Sequence, residues 1–293
     1  MTGFDRVVMP AVLVALAACD DAGIDPMTRI TAPRVLAITT EPSALSLDGE
    51  LALTALTVDP DGPRIGIGGS TSIDGRPVDA MRMRACAPWK FITDPTRDCV
   101  GDDALPLELD AAGRAVTSAA ELATAFPSPP GVPAPPDPWR AALAAGLKLR
   151  VPIIAEVDVD GQTLIARRDV DVVETTVQRQ NPRLAEIRFD GMSTGTLRAG
   201  QRYVLTATID RTSLDEVPDA EPLGALENVV CNFYSPAGEI SEAEVSVVDP
   251  DALVPETTPN TYTAGLPGTT WLFVIATDET GGMSLTSVRL TIE

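Results

Sequence analysis

The sequence predicts a mainly β protein built as two β-sandwich domains in tandem, the first decorated by an irregular insert with two short helices. Three observations carry this expectation. Apolar residues recur with period two in short runs bounded by Gly, Pro and Asp turn signals, the pattern of half-buried strands. That pattern restarts in the second half: Pro182-Arg183-Leu184-Ala185-Glu186-Ile187 echoes Pro33-Arg34-Val35-Leu36-Ala37-Ile38, and Leu205-Thr206-Ala207 echoes Leu53-Thr54-Ala55. We read a weak internal repeat of one β-unit. Finally, 293 residues exceed one ordinary domain, and a hydrophobic share of 44% suffices for packed cores. Aromatics are only 4%, so those cores are filled by Val, Leu, Ile and Ala.

The chain opens on Arg6 and an apolar run from Val7 to Ala18, ending in Leu16-Ala17-Ala18-Cys19. A basic residue, a short apolar core and small residues at a cleavage site make a secretory signal. The run is too short to cross the ~30 Å hydrocarbon core of a bilayer as a helix. Leu-Ala-Ala-Cys resembles the lipobox of bacterial lipoproteins. The resemblance implies removal of residues 1–18 as a signal peptide and lipidation (palmitate) of Cys19. The membrane is then a partner through the N-terminal lipid. The implied location is the cell envelope, either the outer membrane or the periplasmic face of the inner membrane. Residues 19–32 are polar and unpatterned, as in a tether.

The first domain is expected over 33–176. Val35 to Ile38 reads as a strand broken by Glu41-Pro42. Leu51, Leu53 and Ala55 give a second, ending in the turn Asp59-Pro60-Asp61-Gly62. Pro63 to Pro77 reads as glycine-rich loop, and Met81 to Cys86 as a strand. Cys86 and Cys99 are close in sequence with Pro88 and Pro95 between them, and they are the favoured pair among three cysteines left after Cys19. The insert covers about 100–146. Ser118 with Glu121 forms a capping box ahead of a short helix. Pro127 to Pro138 holds seven prolines in 12 residues and reads as extended loop. Asp137-Pro138 then caps a helix over Trp139 to Ala145, closed by Gly146. Leu147 to Val157 and Gln162 to Val173 are strong strand runs joined at Asp160-Gly161, a hairpin signal. Thr175 to Gln180 marks the boundary.

The second domain is expected over 181–293, with strands at Tyr203 to Ile209, Asn228 to Tyr234, Ala243 to Val248, Thr270 to Thr277 and Leu285 to Ile292. Cys231 alternates with Val229 and Phe233, which places its thiol in a core. Thr261-Tyr262-Thr263-Ala264 and Pro267-Gly268 precede Trp271-Leu272-Phe273-Val274-Ile275-Ala276-Thr277-Asp278 and Gly281-Gly282. These stretches resemble the last two strands of bacterial Ig-like domains, in which an aspartate ends the penultimate strand and a Gly-Gly hairpin follows. Pro33 to Gly62 resembles the opening of similar domains in surface lipoproteins of high-GC Gram-negative bacteria. The resemblance implies an Ig-like sandwich for both domains and no common activity.

Composition also removes function classes. The net charge of −20 repels phosphate backbones, which argues against nucleic acid. The chain has no histidine, so Ser-His-Asp and Cys-His chemistry and His-ligated zinc are absent. Nothing selects two carboxylates for sugar hydrolysis, no cofactor motif is present, and the expectation is a protein that is not an enzyme. Three acidic turns, Asp59/Asp61, Asp158/Asp160 and Asp249/Asp251, could supply oxygen ligands to calcium, but Asp-x-Asp-Gly is also ordinary turn chemistry. Trp271 falls in a core strand pattern. Trp89 and Trp139 lie in the irregular part of the first domain, which makes that part the better binding candidate. The expected role is structural, adhesive or protein-binding, with an envelope protein or a polysaccharide as partner. The alternative is a carbohydrate-binding surface lipoprotein.

Overall fold

The computed structural model describes residues 28–67, 76–129, 135–174, 180–193, 196–216, 226–248, 257–278 and 281–293. The signal, Cys19 and most of the tether lie outside them, as do Asp249, Asp251, residues 130–134 and the boundary residues 175–179.

The fold is mainly β, with four sheets stacked in pairs as two sandwiches. In the first, one sheet runs Arg34–Glu41, Glu50–Asp59, Gly62–Ile67, Arg76–Val78, and Arg114–Ser118 also pairs with Glu50–Asp59. The facing sheet runs Leu45–Ser46, Gln162–Val173, Leu149–Val159, Ala80–Cys86, Ala104–Leu107. Strand alternation explains the core between them. Leu51, Leu53 and Ala55 point inward from one sheet, and Val151, Ile153, Ala155 and Val157 from the other. Asp160 and Gly161 both take positive φ, the two-residue hairpin geometry that their sequence signals.

The second sandwich packs Leu184–Phe189, Arg202–Ile209, Thr257–Thr263 and Glu239–Ile240 against Thr196–Leu197, Met283–Ile292, Gly268–Asp278, Val229–Tyr234 and Glu244–Val248. Cys231 is buried in this core, as its alternation predicts, and burial pushes its thiol up to about 12.

The repeat is structural. In each sandwich the opening strand pairs antiparallel with the next, with a register shift at the same place: between Val35 and Ala37 in one, between Leu184 and Glu186 in the other. Beyond the shift, Ile38 faces Ala55 and Ile187 faces Ala207, as the sequence echo aligns them. The chain then crosses to the facing sheet. There Leu45–Ser46 and Thr196–Leu197 each run parallel to the last strand of their sandwich.

Two expectations change. Pro63 to Pro77 is not all loop, since Gly62–Ile67 and Arg76–Val78 are paired parallel strands. The segment 100–146 is not wholly an insert either. Ala104–Leu107 pairs with Met83 to Cys86, and Arg114–Ser118 pairs with Glu50 to Thr54, so it supplies one strand to each sheet. Both strands are too short to show a period. The two expected helices form at Ala119–Ala125 and Pro138–Ala144, capped by Ser118 and Asp137 through the amides of Glu121 and Arg140 at 3.1 and 3.0 Å. The capping box is half made, because the Glu121 carboxylate accepts from the Thr117 hydroxyl instead. A third helix, Pro95–Asp98, sits in the cysteine loop, with Asp94 as its N-cap.

Cys86 and Cys99 form a disulfide. The loop it closes folds back over the outer face of its sheet, where Ile92 covers Ile154. Converting both cysteines to alanine should cost about 3 kcal/mol of stability by the loop-entropy argument. Urea unfolding of the double variant checks this, and an unchanged midpoint would contradict it.

Candidate functional site

The expected aromatic binding surface is a structural plug. Trp139 is fully buried at the end of the first core with Leu122, Phe126 and Leu149, and its indole N–H donates to the Phe126 carbonyl at 3.1 Å. Trp89 meets it edge-on, ring centroids 6.4 Å apart, and is itself half-buried. Trp139 is therefore packed inside and is no contact platform, while Trp89 stays part-exposed beside it.

Two of the acidic turns do converge. Asp59, whose side chain is 2% exposed, accepts from the guanidinium of Arg64 and, at 2.6 Å, from Arg76. Arg76 also reaches Asp61 at 2.7 Å, and Arg64 reaches Asp160 at 2.6 Å. The Asp59–Gly62 and Asp158–Gly161 turns are therefore tied together, with two guanidinium groups standing where a cation would. Asp158 turns away to Arg82 and the Thr163 hydroxyl. Among the described residues, no group of three or more Asp, Glu or Cys side chains is arranged to hold a metal ion. The arginines were visible in the sequence, but nothing in their spacing paired them with these turns.

The feature that sequence reasoning missed is the seam between the sandwiches. In Gly268–Asp278, Leu272, Val274 and Ala276 face the second core, whereas Phe273 is buried on the opposite face with Ile30 and Val58 of the first half. Trp271 shares that opposite face, part-buried against the same cluster, so its core strand pattern serves the seam. Its ring stacks on Phe273, and its N–H donates to the Asp61 carbonyl at 3.0 Å. Gly62 fits beneath the indole, where a Cβ would come within 2.8 Å of the ring nitrogen. The residues just before the first strand join the seam too. Ile30 is fully buried there, and backbone hydrogen bonds run from Ile30 N to Ser235 O and from Ser235 N to Thr28 O. Residues 28–30 are thus docked structure, not free tether.

Polar groups close the rest of the seam. Arg168 donates to the carbonyls of Ile38, at 2.9 Å, and Gly281. Asn181 donates to the Thr40 carbonyl at 2.6 Å and accepts from the Met283 amide at 2.9 Å. Burial lowers the pKa of Arg168, opposed by the nearby Asp278 carboxylate. Beside these groups opens a groove of about 570 Å³, lined by residues of both halves, including Thr54, Leu56, Arg114, Arg183 and Leu285. Its hydroxyls are largely committed: Thr39 donates to the Thr54 carbonyl and Ser284 to that of Pro182. A second, smaller pocket of about 300 Å³ lies where the Asp59–Gly62 turn meets Trp271.

No family model matches the chain, and no curated protein matches it. Solved structures do. The S-layer protein rSbsC(31–844) is 13% identical with a TM-score of 0.22, covering 90% of this chain and 28% of that one. A lipoprotein from Bacteroides thetaiotaomicron is 13% identical, TM-score 0.25, covering 42% of this chain and 86% of that one. The fibronectin(III)-like modules of Clostridium thermocellum CbhA are 12% identical, TM-score 0.25, covering 88% and 94%. The chain thus spans under a third of the S-layer protein. Likenesses this distant carry no inference about activity, and the sandwich architecture rests on the chain's own sheets.

Proposed function

We propose that this chain is a lipid-anchored protein of the cell envelope with a non-catalytic role, structural, adhesive or protein-binding. The observation that carries the reading is how the chemically capable groups are spent. The buried Asp59 carboxylate is held by arginines, Trp139 plugs a core, Cys86 is oxidised to Cys99, and a core-like seam fixes one sandwich against the other. Such a molecule presents surface on a rigid frame. The disulfide supports an oxidising compartment. Among the described residues no helix is long and apolar enough to cross a membrane. In this reading the lipid on Cys19 is the membrane link. Radiolabelled palmitate should enter the wild type and not Cys19→Ser; equal labelling of both would reject the anchor. A carbohydrate-binding role is the second reading, favoured by the smaller pocket at Trp271.

A further inference from the structure

The Asp59–Gly62 turn of the first sandwich and the outer face of the second make a corner. Its pocket, about 300 Å³, is lined by Pro60, Asp61, Thr269, Trp271 and Arg289. Trp271 and Arg289 are direct cross-strand neighbours, and Thr269 lies two residues from Trp271, so all three share one face of the sheet. Trp271 is only part-buried, yet it is held rigidly by Phe273, by the Asp61 carbonyl and by close approach of Gly62. A fixed, part-exposed ring needs little ordering when a ligand lands on it. Arg289 differs from the other arginines of this region. Arg64 and Arg76 are tied to carboxylates, whereas no described residue gives the exposed Arg289 guanidinium a hydrogen bond or an ion pair. In a chain of net charge −20, an arginine beside an indole with no carboxylate ion pair among the described residues is available to an anionic ligand.

We propose that this corner binds a uronic acid unit of an acidic polysaccharide. The apolar C–H face of the sugar ring packs against the part of the indole left exposed. The uronate carboxylate accepts two parallel N–H bonds from Arg289, the geometry in which a guanidinium holds a carboxylate best. Ring hydroxyls donate to the exposed carboxylate of Asp61 and exchange a hydrogen bond with the Thr269 hydroxyl. Repulsion from the acidic surface opposes the ligand but is screened beyond about 8 Å at physiological salt, and the one carboxylate lining the pocket, Asp61, is paired with Arg76. The proposal gives the carbohydrate reading a site and does not depend on the anchor, which palmitate labelling tests separately.

The test is calorimetric titration of the full-length chain, in detergent at 0.15 M salt, with a linear tetramer of galacturonate and with a neutral galactose tetramer. The wild type should bind the acidic tetramer and prefer it to the neutral one. Arg289→Ala should weaken binding at least about tenfold, with Arg289→Lys in between, since one charged hydrogen-bonding group is lost or reshaped. The Arg289 side chain makes no hydrogen bond or ion pair with a described residue, so circular dichroism of both variants should match the wild type. Absence of binding by the wild type at millimolar tetramer, equal affinity for the neutral tetramer, or an unchanged affinity in Arg289→Ala would each overturn the proposal.

Discussion

Trp139→Ala should destabilise the first sandwich by about 3–5 kcal/mol, the range for deleting a large buried aromatic. Three losses add up at this residue. The indole is fully buried against Leu122, Phe126 and Leu149, so alanine leaves a cavity at the end of the core. The donor to the Phe126 carbonyl disappears. The edge-on contact that positions Trp89 is lost as well. Trp139→Phe retains most of the volume and loses the donor, so its cost should be well under half as large. Urea unfolding followed by circular dichroism measures both. A loss below about 1 kcal/mol for the alanine variant would mean that this end of the sandwich is not part of the cooperative core.

Asp59→Ala should be comparably damaging, about 3–5 kcal/mol, because it strands a buried cation. The Arg64 side chain is only 6% exposed and would keep just the surface carboxylate of Asp160 and the Pro77 carbonyl. The same group gives stability a pH dependence. Burial by itself would raise the carboxyl of Asp59. Hydrogen bonds from Arg76 and Arg64 and from the Asp61 amide outweigh it and hold the folded pKa below the ordinary 3.8. A folded pKa below the unfolded one contributes stability that is present above the unfolded value and lost as pH falls through the folded one. Wild-type stability should therefore drop as pH is lowered below about 4, and Asp59→Asn should show a flatter profile over that window. Parallel slopes for the two proteins would assign the acid sensitivity to other carboxylates.

The strands with clean alternation were legible without coordinates, and so were the hairpin at Asp160-Gly161, both capped helices and the disulfide. These are local signals, in which residues a few positions apart decide the outcome. The seam was not legible. Phe273 and Trp271 extend an apolar run, and an apolar run looks the same whether its outer face meets solvent, a ligand or another sandwich. Ile30 was hidden for a related reason, since one apolar residue in a polar stretch has no period. Trp139 was placed on the right helix, but whether a lone aromatic points inward depends on a sheet that is distant in sequence.

The two donors at the seam also act on the strand they cap. Arg168 and Asn181 take the carbonyls of Ile38 and Thr40, alternate residues of a strand whose opposite side is already paired with Glu50–Asp59. Such carbonyls on an open edge are a template onto which another chain can add a strand. Separating the sandwiches would therefore do more than free a hinge. Arg168 belongs to the first sandwich and would stay on Ile38, but the Thr40 carbonyl of the sheet edge would be bared together with the apolar cluster of Ile30, Val58 and Phe273, and a loosened molecule would be drawn to its neighbours. Rigidity and solubility in this protein thus rest on the same few contacts.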